Sequence, residues 1–398
     1  MLNPWESAIV RNAEWFLAIE DSHGRIRALA DEYYGVPGDA SLIGHAISVR
    51  MFAWILSGEQ RYFDSALRSA RWLAERQDAR GGWHKDAGYS LDAAQCVMEG
   101  FCTYERLSGD RRFHEVLVRA ADRMISGTVN PGGTLSIGNL TECGEYAHFA
   151  FMAWKQTGLE RHRAGGMAIL QAIMDSFDEQ EGFWDTATDT RMHPLLELSK
   201  PFISPLMRAS VAWMDLKGKT IAKISEFMLP LVTRGKGPQY GIGMMDAESL
   251  LDTLDGRLEL PRLRRQTARA IAWMELNCAG PVAGSFKESR SVAKGRQVYP
   301  VKAINDAVNA SLWPSAAYLL GLVGMNDAAY ADRAHSTADW IVSMQDEDGG
   351  FLPHQDPAGK KYGKKYGNVN FYGCMALWHF NSVYVRKTEP SRAVATAV

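Results

Sequence analysis

The sequence predicts an all-α protein, a single domain spanning 1–398 in which six to seven helical hairpins close into a ring. Three observations carry this. Amphipathic segments alternate with segments that are small or apolar over most of their circumference. The amphipathic kind recurs at roughly 45–65 residues, a period that suits one helical hairpin plus its connections. A short pattern also comes back: 72-WLAERQDARGGW-83 and 340-WIVSMQDEDGGF-351 share Trp, four residues, Gln-Asp, two residues, Gly-Gly and an aromatic. A weaker copy opens the chain, where Trp15 is followed at the same offsets by Glu20, Asp21 and Gly24.

The amphipathic helices are expected at 11–20, 62–77, 112–126, 162–178, 219–233, 262–277 and 328–345. Segment 62-YFDSALRSARWLAERQ-77 shows why: its apolar residues fall at the three/four spacing of a helix with one wet face. The second kind is expected at 40–57, 91–107, 142–157, 195–216, 243–254, 304–324 and 368–384. Segment 91-LDAAQCVMEGFCTYERL-107 is apolar or small nearly all round, so it should be enclosed by protein. Outer amphipathic and inner buried helices in alternation describe a ring. No run of β-branched residues with period two suggests a strand of any length.

The repeated turn has a structural job. Gln77 and Gln345, at the ends of outer helices, can bond otherwise unpaired carbonyls; the Gly pair permits a left-handed turn; the aromatic fills the gap between hairpins. The copies therefore mark equivalent corners of the ring, with Trp83, Trp184 and Phe351 as packing residues.

Composition narrows the function classes. Hydrophobic residues make up 46% and charged residues 23%, which suits a large buried core. A net charge of −2 gives no global attraction to nucleic acid. Five cysteines without CxxC spacing suggest reduced thiols. The first residues carry Glu6 and Arg11 and lack a basic leader, so the sequence reads as cytoplasmic and without a transmembrane segment. The residues carry no mark of oligomeric state, and no cofactor or metal is implied.

The segments 77-QDARGGW-83 and 345-QDEDGGF-351 resemble the Gln/Trp motif of squalene–hopene cyclases and other terpenoid cyclases. The same turn is found in protein prenyltransferase β subunits and in several six-hairpin polysaccharide lyases and glycosidases. The resemblance implies an (α/α) toroid over nearly the whole chain. The chemistry-bearing motifs of several of these families are missing. No DxDD or DDxxD cluster exists, and Asp246, Glu248, Asp252 and Asp255 are spread along 246-DAESLLDTLD-255. Cys374 and His379 are five apart, on different helix faces, which does not fit a prenyltransferase zinc site, and no Cys-His-Gly segment supports a lanthionine-type cyclase.

The carbohydrate-active branch remains, and it implies a cleft at one end of the ring, formed by loops and by the starts of inner helices. Mapped onto this sequence, that expectation selects His45, Asp92, Glu142, Glu145, Tyr146, His148, His193, Lys200, Tyr240, Asp246, Asn305, Asn309, Asn368 and Tyr372. Glu145 and His148, three apart, share one helix face; capping by Thr141 and the first-turn acids is the plainer role for this segment. Tyr240, in the Gly-rich 234-RGKGPQYGIGMMDAES-249, and His193, before Pro194, are the candidates for proton transfer. Two basic stretches, 286-FKESRSVAKGRQVYPVK-302 within a non-repeat insertion at 281–303, and 360-KKYGKKYG-367 within a loop at 355–367, flank inner helices. If they converge on one mouth they form an anion trap, with Arg296, Lys302 and Asn305 neutralising a carboxylate.

The sequence is thus expected to encode an enzyme on an anionic, uronic-acid-containing oligo- or polysaccharide. Its reaction would be β-elimination through proton abstraction or, with Glu145 paired to Asp92 or Asp246, hydrolysis. One alternative is a terpenoid cyclase or prenyltransferase relative that binds an isoprenoid diphosphate. The other is a helical ring that binds without catalysis.

Overall fold

A computed structural model describes residues 2–26, 40–83, 90–130, 143–175, 177–180, 182–184, 260–287, 309–363, 365 and 367–385. Its helices, in chain order, are α1 (Pro4–Ala18), α2 (Ala40–Ser57), α3 (Gln60–Ala74), α4 (Ser90–Ser108), α5 (His114–Thr128), α6 (Cys143–Thr157), α7 (Glu160–Asp175), α8 (Leu260–Asn277), α9 (Leu312–Met325), α10 (Ala331–Ser343) and α11 (Gly367–Phe380). The expected helices at 195–216, 219–233 and 243–254 lie outside the described residues.

Two boundaries differ from the sequence reading for physical reasons. Helix α1 begins at Pro4, seven residues before the expected start at 11. A capping box sets this start: the Glu6 N–H donates to Asn3 Oδ1 at 2.9 Å, and the Asn3 N–H donates to Glu6 Oε2 at 3.0 Å, with Pro at the first position. Helix α9 begins at Leu312, not near 304, because Ala310–Ser311 pairs into a small sheet.

Inner and outer helices separate by burial. All of α9 except Trp313 is buried, whereas α3 buries one face through Tyr62, Ser65, Ala66, Ser69, Ala70 and Leu73. Inner helices α2 and α4 approach backbone to backbone at Gly44 and Gly100. A Cβ on Gly44 would meet the Cys96 carbonyl, and one on Gly100 the Gly44 carbonyl. Helix α2 is long and apolar enough to span a membrane, but 78% of it is buried inside the protein. It also holds the fully buried Arg50 beside Glu20 at 3.3 Å, with Ser65 and Ser69 accepting from the same guanidinium. Around the ring α2 packs on α4, α4 on α6, α9 on α11 and α11 back on α2. Helices α1, α3, α5, α7, α8 and α10 lie outside. The architecture is an all-α (α/α) toroid.

The repeated turns staple each corner to the next outer helix. Gln77 Nε2 donates to Gly81 O (3.2 Å) within its own turn and to Val116 O of α5 (2.9 Å). Gln345 Nε2 donates to Gly349 O and to Ala8 O of α1, both at 2.8 Å. In the weaker copy Glu20 replaces Gln and takes Ser65 and Arg68 of α3. Gly81 (φ 83°) and Gly349 (φ 91°) hold the left-handed conformation while pressed onto the Arg119 and Arg11 carbonyls, so any side chain there would be both strained and obstructed. Two further corners among the described residues lack the Gln: Gly182 faces Arg269 of α8, and Gly284 abuts Ser336 of α10. The last turn thus grips the first helix, and the ring closes. Trp83 and Phe351 are buried; the Trp83 indole N–H donates to Leu73 O at 2.8 Å.

Among the described residues, six strands, each of two residues, complete the fold. β1 (Phe177–Asp178) and β2 (Phe183–Trp184) form a hairpin at one corner. β3 (Phe286–Lys287), β4 (Ala310–Ser311), β5 (His354–Gln355) and β6 (Lys361–Tyr362) form an antiparallel sheet in that order, with Phe286 opposite Ser311, Ala310 opposite Gln355 and His354 opposite Tyr362.

Candidate functional site

Chain direction decides which end of the ring can be a site. Connections from inner to outer helices are short, at 58–59 and 158–159, while those from outer to inner helices are long, at 75–89, 278–311 and 344–366. Helices that alternate in direction gather all long connections at one end, together with the starts of the inner helices. Loops carried on a rigid scaffold, and helix N-termini with unpaired N–H groups, are where binding groups concentrate. This end is the mouth.

Three inner helices bring rings together there. His45, in the second turn of α2, stacks on Phe371 of α11 with centroids 4.0 Å apart and planes 27° apart. The same imidazole lies 5.8 Å from the Tyr372 ring. Tyr372 meets Trp313, the second residue of α9, edge-on at 4.7 Å. Trp313 is the partly exposed member of an otherwise buried helix. Burial pushes the His45 pKa down to about 3, so its imidazole is neutral across the physiological range. His45 Nδ1 has no hydrogen-bond partner among the described residues. His45 and Tyr372 are buried behind Trp313, whose partly exposed indole is the face of this cluster that can stack a sugar ring.

The sheet holds one described lysine from each basic stretch. Lys287 of β3 and Lys361 of β6 begin and punctuate the two stretches, and β4 between them runs into α9 two residues before Trp313. Asn309 Nδ2 donates to the Tyr362 hydroxyl at 2.5 Å, tying the edge of the sheet to the chain that enters α9. Lys365 serves the corner instead. Its ammonium donates to Asp348 at 2.7 Å and pairs with Asp346 at 2.6 Å, so it neutralises the closing turn and is no free cation at the mouth.

Tyr146 and His148 are buried on α6. Burial, with the positive charges of Arg106 and Lys155 as lesser causes, holds the His148 pKa well below its usual value. Glu145 and Asp92 fall in the first turns of α6 and α4, with side chains outside the described set. Tyr240, His193, Asp246, Arg296, Lys302 and Asn305 also lie outside the described residues.

One acid escaped the sequence reading. Glu99 of α4 accepts from Ser48 Oγ of α2 at 2.6 Å to each carboxylate oxygen, and from Thr103 Oγ1 at 3.0 Å. Burial pushes its pKa up to about 7 against the lowering effect of those hydrogen bonds. The available signal was a lone Glu amid the apolar run 96–104. Among the described residues no three His, Cys, Asp or Glu side chains gather as metal ligands would.

No known family pattern matches the chain, and no curated protein sequence is similar to it. Solved structures are. A sugar epimerase from a ruminal bacterium superposes with a TM-score of 0.65 at 11% identity, over 95% of this chain and 98% of that one. An α-1,6-mannanase from Salegentibacter sp. HEL1_6 gives 0.60 at 11% identity, over 95% and 99%. A polysaccharide lyase gives 0.56 at 14% identity, over 97% and 99%. Likeness at such low identity shows the shared toroid; chemistry has to come from side chains.

Proposed function

We propose that the chain is a carbohydrate-active enzyme whose substrate is an anionic, uronic-acid-containing oligo- or polysaccharide bound at the mouth. The observation that carries this reading is the small sheet, which holds Lys287 and Lys361, one from each basic stretch, together with the strand that enters α9. Trp313, partly exposed and backed edge-on by the buried Tyr372, offers a face for a pyranose ring, and the strand leading into Trp313 lies between those holding Lys287 and Lys361. That three similar toroids are named as an epimerase, a mannanase and a lyase supports a saccharide as the ligand.

The reaction proposed is proton abstraction from carbon, leading to β-elimination, with hydrolysis as its variant. A cation or amide beside the uronate offsets its charge and acidifies the neighbouring C–H; Arg296, Lys302 and Asn305 are assigned this role. Tyr240 and His193 are assigned the proton transfers, and Glu145, Asp92 and Asp246 the carboxylate roles of the hydrolytic variant. His45, held neutral, is suited to hydrogen bonding and not to charge neutralisation.

The test is a panel of uronate oligosaccharides, followed by absorbance of the unsaturated product and, in parallel, by new reducing ends. Unsaturated product that disappears in Tyr240→Phe supports elimination. New reducing ends without unsaturation move the assignment to hydrolysis. No turnover and no binding of any acidic saccharide overturns the proposal.

A further inference from the structure

A polar atom buried in a folded protein almost always has a partner, so one without a partner calls for a reason. His45 is 2% exposed, and its Nδ1 meets no hydrogen-bond partner among the described residues. The outer wall shows the usual treatment of a buried imidazole: His162 has Thr157 Oγ1 2.9 Å from Nδ1 and Asp122 3.0 Å from Nε2. His45 is held by rings instead. Phe371 stacks on it with centroids 4.0 Å apart, and Tyr372 stands 5.8 Å away. Stacking fixes the plane of an imidazole without satisfying Nδ1. His148 Nδ1 is bare too, but the ring beside it is the buried Phe149, which opens to no surface. Beside the His45 cluster stands Trp313, the one residue of α9 that is not buried. It meets Tyr372 edge-on at 4.7 Å, and as the second residue of its helix it projects toward the N-terminus and so toward the mouth. Nothing else fastens it. Its indole N–H makes no hydrogen bond among the described residues, whereas those of Trp5, Trp83 and Trp340 donate to Asp339, Leu73 O and Gln355. One edge-on contact and no hydrogen bond leave this indole free to change rotamer.

We propose that Trp313 is a gate: its indole turns away from Tyr372 as a saccharide stacks on it, and a sugar hydroxyl then reaches His45 Nδ1 as the partner the free protein lacks. The ligand rests on the saccharide reading of the mouth; the gate is a property of this chain alone. A hydroxyl is the group that fits. The imidazole is neutral, because burial holds its pKa down to about 3, so it offers no charge to a carboxylate. Nδ1 accepts in one tautomer and donates in the other, and a hydroxyl can answer either, whereas an ionised carboxylate only accepts. The uronate charge is therefore met elsewhere, and a hydroxyl-bearing edge of the sugar enters here. Nδ1 has already given up its water in the free protein, so the hydroxyl gains its hydrogen bond without the protein first breaking another. Rings on both sides, Phe371 and Tyr372, keep the imidazole in place while the indole moves.

Acylation of the whole protein with diethyl pyrocarbonate, which attacks uncharged imidazole, followed by peptide mass mapping, reads the gate. In the wild type His45 should label far more slowly than the exposed His23. Trp313→Ala should raise the His45 rate roughly tenfold, the scale of one lost aromatic contact, and Trp313→Phe, which keeps a ring against Tyr372, should hold it near the wild-type value. Trp72→Ala, on outer helix α3, should change nothing. His162 reports the fold and should stay protected throughout; where it labels, the fold has loosened, and Trp313→Val is read in place of the Ala variant. Digalacturonate and its methyl ester, each at saturation, should both slow His45 labelling in Trp313→Ala. A His45 rate equal to that of His23 in the wild type, or unchanged in Trp313→Ala while His162 stays protected, overturns the gate. Protection by the acid and not by its ester overturns the hydroxyl assignment. A gate that opens in Trp313→Ala without protection by either saccharide supports the gate and counts against the saccharide reading, so the two failures are told apart.

Discussion

Gln345 joins the two ends of the sequence, and its removal measures what ring closure contributes. In Gln345→Ala two hydrogen bonds vanish, to Ala8 O and Gly349 O. Neither carbonyl becomes a buried orphan: Ala8 lies within α1, and Gly349 O still takes Asn12 Nδ2 at 3.0 Å. The cost is therefore the bonds themselves, about 1 kcal/mol each and about 2 kcal/mol in all. With an unfolding entropy of about 2.1 cal/mol/K per residue over 398 residues, that lowers the thermal midpoint by about 2–3 °C. Gln345→Glu should cost more at neutral pH, because it sets a carboxylate against two carbonyl oxygens, and part of that loss should return in acid as the carboxyl gains a proton to donate. Scanning calorimetry at pH 7 and pH 4 reads all three proteins. A Glu variant as stable as the wild type would refute the donor role, and an unchanged Ala variant would refute the staple. The proposed activity, taken per folded molecule, should be untouched in both, since Gln345 bonds only within its corner and to α1.

Other expectations follow from the same structure. Burial raises the Glu99 pKa from its ordinary 4.5 to about 7, so the folded protein holds this proton more tightly than the unfolded chain. The resulting stabilisation, about 3 kcal/mol, is complete below pH 4.5 and fades as pH rises through 7. Unfolding midpoints across that window should thus fall in the wild type relative to Glu99→Gln, and parallel curves would refute the buried neutral acid. Gly58→Ala should cost only the left-handed conformation, about 1–2 kcal/mol, because nothing lies within 4 Å of the added Cβ. Gly81→Ala adds collision with the Arg119 carbonyl, about 1–3 kcal/mol more, and equal losses in urea would contradict the close approach. Under the proposed function, Trp313→Ala should weaken saccharide binding about tenfold through lost stacking, read from a binding isotherm, with little change in stability.

The ring was legible in the sequence because its signals are local and repeated. Helix α2 occupies 40–57 as expected, since its apolar circumference and the Gly58 break are both written in adjacent residues. The start of α1 was hidden only by an overlooked capping box, whereas the start of α9 could not be read locally: Ala310–Ser311 becomes a strand only because Phe286 and His354, distant in sequence, supply its neighbours. The site shows the same division. His45 and Tyr372 were selected because they open inner helices, and the fold places them within one ring cluster. Phe371, on which His45 stacks, and Trp313, which meets Tyr372, carried no such mark. Glu99 was passed over because a Glu in a helix usually lies on the wet face, and only the approach of α2 at Gly44 and Gly100 encloses it beside Ser48.

By itself the sequence determined helix, turn and the alternation of wet and enclosed faces, since these depend on residues within a few positions of one another. The tertiary structure alone decided which acid is neutral, which lysine is already paired and which acid Arg161 pairs with. Charge and protonation respond to whatever lies within a few ångströms, and at Lys365 or Arg161 those neighbours come from elsewhere in the chain.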